Sequence, residues 1–315
     1  MMSCRICGGP LGGALRVREM MFGTREWFGY HQCEACGCLQ IDEIPADIGR
    51  HYPEGYYSYG TRHQGQTKRL RRGARRRWIL SGPRPLAALL GLLSRADAQF
   101  HAYRAIGVKP GARLLDVGAG SGAHVLELRD AGVDALGVDP YVPADVQFEG
   151  RLLVRKAELG EMPGKYDFIT FHHSLEHMPQ QAEVLSHACK RLARGGRVLV
   201  RVPTVDSEAF ETYRENWVNL DAPRHFYLHS HRSLAIAASK AGLRLERQWC
   251  DSGGMQFMGS EQYRKDIPLM DARSAAVAKH GTLFSASQRR EYEKRAQALN
   301  GAMRGDALCA LMVAA

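Results

Sequence analysis

The sequence predicts an α/β protein: a mostly parallel sheet with helices on its faces, preceded by a small cysteine-bound module. Three observations carry this. Short apolar runs at 113–118 and 135–139 are joined by a glycine turn and a helical stretch, the alternation that makes a buried parallel sheet. Two Cys-x2-Cys pairs fall within the first 36 residues. Hydrophobic residues make up 45% and charged residues 24% of 315, enough apolar material for a sizeable core. Collagen-like, low-complexity and wholly disordered chains are thereby excluded.

The amino-terminal module comes first. Cys4-x2-Cys7 and Cys33-x2-Cys36 are each followed by glycine, which lets backbone N–H groups turn toward the sulfurs. Two such knuckles bring four thiolates into a tetrahedron around Zn²⁺, a closed and therefore structural site. Cys38 is a spare thiol or an alternative ligand. The run His51-Tyr52-Pro53-Glu54-Gly55-Tyr56-Tyr57-Ser58-Tyr59-Gly60 predicts an irregular loop whose tyrosines either face a polar ring or pack the module onto its neighbour. Residues 1–60 thus form a zinc-ribbon-like module.

Residues 61–109 predict a basic, helical linker. Arg62, Lys68, Arg69, Arg71, Arg72, Arg75, Arg76 and Arg77 meet no acid nearby in sequence, and residues 1–110 supply most of the net charge of +10. Such a segment suits a solvated helix face, phosphate, nucleic acid or an anionic membrane, with 68–77 as the contact. The longest apolar stretch, near Leu86–Leu93, is far short of the ~20 residues that cross a bilayer, and the start lacks an apolar leader. The expectation is a soluble, cytoplasmic protein, with peripheral contact at the inner membrane face left open.

The α/β domain is placed at 110–315. Arg113-Leu114-Leu115-Asp116-Val117-Gly118 reads as a strand running into Ala119-Gly120-Ser121-Gly122 and then a helix from Ala123. A strand, a glycine turn and a helix start make a nucleotide-cradling unit. The spacing Gly118-x-Gly120-x-Gly122 differs from the G-x-G-x-x-G of dinucleotide enzymes. Ala135–Asp139 is a second strand ending in an acid placed to accept ribose hydroxyls. Further strands are expected at 152–155, 197–200, 243–250 and 306–315, helices at 181–193 and 234–241, a turn at 194–196, and a helical insertion at 260–304.

With L-L-D-V-G-A-G-S-G at 114–122, G-V-D at 137–139 and Y-D-F-I-T-F-H-H-S-L-E-H at 166–177, the chain resembles the class I S-adenosylmethionine-dependent methyltransferases over about 110 consecutive residues. The resemblance implies a Rossmann-like, seven-stranded sheet with its last strand antiparallel. It also implies cofactor roles: Gly118, Ala119, Gly120 and Gly122 against the cofactor, Asp116 at its methionine amino end, Asp139 at the ribose, Ala157 and Glu158 at the adenine, and Phe171 and His172 closing the methionyl side. A second resemblance, to methyltransferases of bacterial saccharide clusters, includes the Cys pairs, I-P-x-D at 44–47 and D-A-P-R-H-F at 221–226. Sugar C-methyltransferases of that group carry a further carboxy-terminal domain, and a Glu where this chain has Arg224. O-methylation of a sugar, on a nucleotide-sugar or lipid-linked saccharide, is therefore preferred over C-methylation.

A sugar hydroxyl needs a base near neutrality, and histidine fits. His173 and His225 are the candidates, one as base and the other orienting the acceptor; Glu176 binds a hydroxyl or fixes His177, or both brace the loop. Arg224 and Arg232 are candidates for an anionic group and Trp217 for stacking on the acceptor ring. The competing reading is an RNA methyltransferase that holds its substrate with the zinc module and the arginine run. The segment after the fourth strand, F-H-H-S, lacks an N-P-P-Y-type motif and a Pro-Cys, which weighs against it.

Overall fold

The computed structural model describes residues 3–53, 66–82, 97–277 and 283–315. Residues 54–60 of the Tyr-rich loop, Arg62, the apolar stretch near Leu86–Leu93 and residues 278–282 of the expected insertion lie outside the described residues.

The cysteine module contributes three antiparallel strands, β1 (Leu11–Arg18), β2 (Trp27–Cys33) and β3 (Leu39–Ile41). Two helices follow, α1 (Gln66–Ser81) and α2 (Ala98–Ala105). Then strands and helices alternate: β4 (Arg113–Val117), α3 (Ala123–Asp130), β5 (Asp134–Val138), β6 (Val146–Phe148), β7 (Arg151–Arg155), β8 (Tyr166–His172), α4 (Gln181–Arg191) and β9 (Leu192–Pro203). The chain continues through α5 (Glu208–Tyr213), β10 (Tyr227–Leu228), α6 (His231–Lys240), β11 (Leu243–Cys250), α7 (Met255–Arg264), α8 (Ala286–Gly301) and β12 (Ala307–Ala314).

The large sheet has the order β11-β12-β9-β8-β4-β5-β7-β6. Strands β4, β5, β7, β8 and β9 run parallel, whereas β12 is antiparallel to both β9 and β11. Among the described residues this makes eight strands rather than the expected seven. The extra one, β6, is a short edge strand antiparallel to β7. Its cause is a two-residue hairpin: Glu149 and Gly150 both take positive φ, 50° and 73°, the geometry that joins twisted antiparallel strands tightly. A second departure is the expected turn at 194–196. It stays within β9 as a bulge, because Tyr166 pairs with Leu192 while Phe168 already pairs with Arg197. Strand order reverses around β4, so the crevice between the carboxyl ends of β4, β5 and β8 is where a ligand seats in such sheets.

The cysteine module shares its sheet and core with the rest of the chain. Strand β10 extends the small sheet by pairing Tyr227 with Gln40 and Leu228 with Leu39. One continuous apolar cluster runs from Cys4, Tyr30 and Leu39 to Phe171, Val200 and Trp217. Tyr30 donates its hydroxyl to the His225 carbonyl at 2.9 Å, and Ser230 donates to the Cys36 carbonyl.

Helix α1 finds acids that its local sequence lacks. Arg76 bonds buried Asp97 at 2.9 Å and Glu127 at 3.1 Å, Arg75 also pairs with Asp97, and Arg69 meets Asp130 and Glu149. Arg69 and Arg76 thus fasten α1 to the α/β domain and Arg75 ties it to Asp97 before α2, while Lys68, Arg71 and Arg77 stay exposed. Among the described residues no helix is long and apolar enough to cross a membrane.

Candidate functional site

The crevice is lined by the glycine turn. Gly118, Gly120 and Gly122 have φ of 76°, 52° and 76°. A Cβ at Gly118 would lie 2.4 Å from Ser174 Cβ, and one at Gly122 2.7 Å from Leu153 and Val154. Positive φ and close approach both require glycine there. Asp139, buried at the end of β5, accepts from Gly120 N and Tyr141 N, each at 2.9 Å, which ties the acid to the turn. Ala119 sits on the same turn, its methyl facing Gly137.

Asp116 is buried on β4 and accepts from Thr170 Oγ1 at 2.7 Å. Burial, reinforced by the charge of Asp139, raises its pKa to about 7 against the opposing Thr170 bond. A carboxyl so placed is short of a positive partner.

Two expected cofactor contacts differ in detail. The Phe171 side chain lies wholly in the core, because alternation along β8 turns it away from the crevice, so only its backbone is available. Glu158 is exposed, and its carboxylate accepts from the Glu161 backbone N–H while Glu161 bonds back to Glu158 N, a reciprocal cap on a 3₁₀ turn. Ala157, half-buried beside it, keeps its place at the end of β7. His172 is held by Tyr103, whose hydroxyl lies 2.5 Å from His172 Nε2 and 2.6 Å from His124 Nε2. Burial, then the neighbouring His124, pushes His172 well below the usual histidine range.

Next to the crevice, the 3₁₀ turn after β8 carries Glu176 and His177, and the loop before β10 brings His225 against them. Phe226 N donates to the Glu176 carbonyl at 2.8 Å, which closes the two segments together. The His177 and His225 rings are 4.7 Å apart. His177 Nδ1 faces the Arg224 carbonyl at 2.8 Å and His225 Nδ1 faces the Asn219 carbonyl at 2.8 Å. A carbonyl only accepts, so in both rings Nδ1 carries the hydrogen and Nε2 presents a lone pair. Burial, then the neighbouring His225, lowers the His177 pKa to about 4. Glu176 is fully buried; burial raises its pKa, but the His173 bond and the surrounding histidines overcome that and hold it below the usual carboxylate range. Its Oε2 has no hydrogen-bond partner among the described residues.

His173 differs from His225. Its Nδ1 bonds Glu176 Oε1 at 3.2 Å and its Nε2 meets Arg201 Nη1, so both ring nitrogens are engaged.

Arg224 and Trp217 are not at the surface of this site. Arg224 is fully buried and bonds Asp221 at 2.6 Å, Glu19 at 2.8 Å and the His51 carbonyl at 3.0 Å. It is a brace between the cysteine module and the His225 loop, with no group left for an anion. Trp217 is fully buried, tilted against Phe210, with Nε1 donating to Asp306 at 3.0 Å, so it cannot stack on an acceptor. Arg232 is exposed on α6. Tyr52, named from the sequence only as one of the tyrosines of that loop, has its hydroxyl 3.2 Å from His177 Nδ1, and sequence reasoning missed Glu19, Asp221, Arg201, Tyr103 and His124. Asp221 had a local signal, its i+3 and i+4 spacing to Arg224 and His225; Glu19, over 200 residues from Arg224, had none.

In the module, Cys4, Cys7, Cys33 and Cys36 converge. Cys4 and Cys36 sulfurs are 3.6 Å apart and Cys7 and Cys33 3.4 Å, too far for disulfides and close to the ~3.8 Å edge of a tetrahedron with ~2.3 Å Zn–S bonds. Gly9 N points at Cys7 Sγ and Cys36 N at Cys33 Sγ. Cys38 is buried apart, bonded to the Leu39 carbonyl.

Residues 92–248 match the sequence model of a methyltransferase domain family. A ubiquinone biosynthesis O-methyltransferase of Azotobacter vinelandii is 37% identical over 100 residues, covering 28% of this chain and 43% of that one. The enzyme of the same name from Methylococcus capsulatus is 29% identical over 145 residues, 42% of this chain and 59% of that one. The chain thus spans about half the length of these curated relatives. A solved SAM dependent methyltransferase from Archaeoglobus fulgidus overlays 70% of this chain and 94% of its own at 19% identity, with a TM-score of 0.44.

Proposed function

Because the chain carries an S-adenosylmethionine-dependent methyltransferase domain, we propose that it transfers the cofactor's methyl group to a hydroxyl oxygen of a sugar seated at Glu176, His177 and His225. One observation carries the reading. Glu176, His177 and His225 each bring one ligand-capable atom within 4.8 Å of the others beside the crevice; both histidines hold a backbone carbonyl with Nδ1, and one Glu176 oxygen has no partner among the described residues, an arrangement that a hydroxyl donor satisfies.

When bound, S-adenosylmethionine supplies a methyl on a sulfonium, already activated for displacement. The protein's own work is alignment and proton removal. Gly118, Ala119, Gly120 and Gly122 let the backbone approach the cofactor, Asp116 meets its ammonium, and Asp139 takes the ribose. Ala157 and the backbone of Phe171 flank the adenine and methionyl ends, with His172 held beside them by Tyr103. His225 is the base: its Nε2 is bare and 4.0 Å from Glu176, whereas both nitrogens of His173 are already engaged. With the cofactor bound, His225 Nε2 would take the acceptor's O–H proton as the oxygen displaces sulfur at the methyl carbon, the electron pair of the broken C–S bond staying on the departing thioether, and Glu176 would steady the imidazolium. His177, fixed by Tyr52 and the Arg224 carbonyl, orients the hydroxyl. Four thiolates of the module hold a structural Zn²⁺ and so fix Arg224 and, through it, the His225 loop.

The sugar draws on the saccharide-cluster resemblance; the curated relatives do not support it. Their name, ubiquinone biosynthesis O-methyltransferase, favours a second reading in which a ring hydroxyl of a quinone precursor takes the methyl at the same cluster. RNA is less favoured because Arg69, Arg75 and Arg76 are held by Asp130, Asp97 and Glu127, which leaves Lys68, Arg71 and Arg77 as the exposed cations among the described residues of the run. C-methylation is the weaker alternative because Arg224 stands where the sugar C-methyltransferases of that resemblance carry a Glu. The test is label transfer from S-adenosylmethionine to separated nucleotide-sugar, glycolipid, hydroxylated-quinone and RNA fractions. Label in a saccharide fraction supports the reading, and label confined to the quinone or RNA fraction replaces it.

A further inference from the structure

The lone pairs that suit a hydroxyl also suit a cation. Glu176, His177 and His225 each offer one ligand atom, all within 4.8 Å of one another. Both histidines donate Nδ1–H to a backbone carbonyl, Arg224 for His177 and Asn219 for His225, which is how ligating histidines are oriented so that Nε2 faces the metal. Glu176 Oε2 is an acceptor with no donor among the described residues, on a side chain of zero exposure. His225 Nε2 is 4.0 Å from Glu176 Oε1 and 3.7 Å from Asp221 Oδ2, too long for hydrogen bonds.

We infer that Glu176, His177 and His225 form a second metal site, a two-histidine, one-carboxylate set for a divalent transition ion, distinct from the four-thiolate site. At ~2.1 Å per bond, ligands of one ion stand about 3 to 4.2 Å apart. From separations of up to 4.8 Å, the three side chains need to close by at most ~2 Å. Three protein ligands leave coordination positions open, and a single carboxylate leaves the bound ion with a net positive charge. Nitrogen-rich ligation selects Zn²⁺, Co²⁺, Ni²⁺ or Fe²⁺ over Mg²⁺ or Ca²⁺. The ion and the acceptor proton compete for the same lone pair on His225. Given the base assigned above, occupancy takes that base out of service, so the site acts as a brake on methyl transfer.

The experiment uses the full chain with zinc already in the cysteine module, titrated with Co²⁺. A second-site ion gives weak d–d absorption without thiolate charge transfer; thiolate charge transfer reports exchange into the module. The wild type is expected to take one further Co²⁺ per chain, and His225→Ala and Glu176→Gln to lose it while S-adenosylmethionine binding shows that each still folds. No second Co²⁺ in the wild type overturns the proposal, as does a second Co²⁺ that survives both substitutions. Binding is read without any acceptor, so it stands or falls apart from the sugar reading. If the second ion binds and methyl transfer rises, the metal site holds and the assignment of His225 as free base fails.

Discussion

Asp116→Asn should make the protein more stable at alkaline pH while weakening its hold on the cofactor. Burial raises the Asp116 pKa from 3.8 to about 7, with the charge of Asp139 adding to it and the Thr170 bond opposing it. At 1.36 kcal/mol per pH unit, a rise of that size corresponds to roughly 4 kcal/mol of destabilisation once the carboxyl is ionised in both states. The sign follows from a carboxyl whose folded pKa lies above its unfolded one. Below about pH 4 both states are protonated and there is no penalty. It grows as the pH rises toward 7, because the unfolded chain ionises first, and is complete above. Asparagine keeps an oxygen for Thr170 and does not titrate. The stability gap between variant and wild type should therefore widen by about 2 to 3 kcal/mol between pH 5 and pH 8. Urea midpoints at the two pH values measure it. Calorimetric titration with S-adenosylmethionine should show weaker binding by the variant, since the carboxylate that meets the cofactor's ammonium is gone. A gap that does not change with pH, or a variant less stable than wild type at pH 8, would refute the reasoning.

His225→Ala should lower the methyl-transfer rate by about 10²- to 10⁴-fold, the usual range for loss of a general base, whereas His173→Ala should cost less; single-turnover rates separate them. Arg224→Met leaves Glu19 and Asp221 buried without their cation and should destabilise the fold by about 3 to 5 kcal/mol in denaturant unfolding. Gly118→Ala forces positive φ on a residue with a Cβ 2.4 Å from Ser174, so equilibrium dialysis should show cofactor binding lost, with about 1 to 3 kcal/mol of stability. The purified protein should hold one Zn²⁺ per chain by elemental analysis, and Cys33→Ser should reduce it and lower the melting temperature.

Local pattern made the parallel strands, the glycine turn and the cysteine knuckles legible, because each depends on residues a few positions apart. The edge strand β6 was missed, although Glu149-Gly150 is a turn signal, because three residues are too few to show periodicity. The arginine run was legible only in part for the opposite reason: Asp97, Glu127 and Asp130, which hold Arg75, Arg76 and Arg69, lie about 20 to 60 residues away and meet them only after folding. Trp217 and Arg224 looked like acceptor ligands because Trp and Arg so often are. Only burial shows that Asp306 and Glu19 already hold them. The histidines were nominated by residue type, but choosing between His173 and His225 required knowing which ring nitrogens were taken.

The most direct test of the account is the chemical nature of the bond formed. Incubation with S-adenosylmethionine carrying a ¹³C methyl, followed by NMR of the product, distinguishes a methyl on oxygen from one on carbon or nitrogen. The account expects an O-methyl resonance correlated to a saccharide proton, absent with His225→Ala. A C-methyl or N-methyl signal, or an O-methyl signal undiminished in that variant, would contradict it.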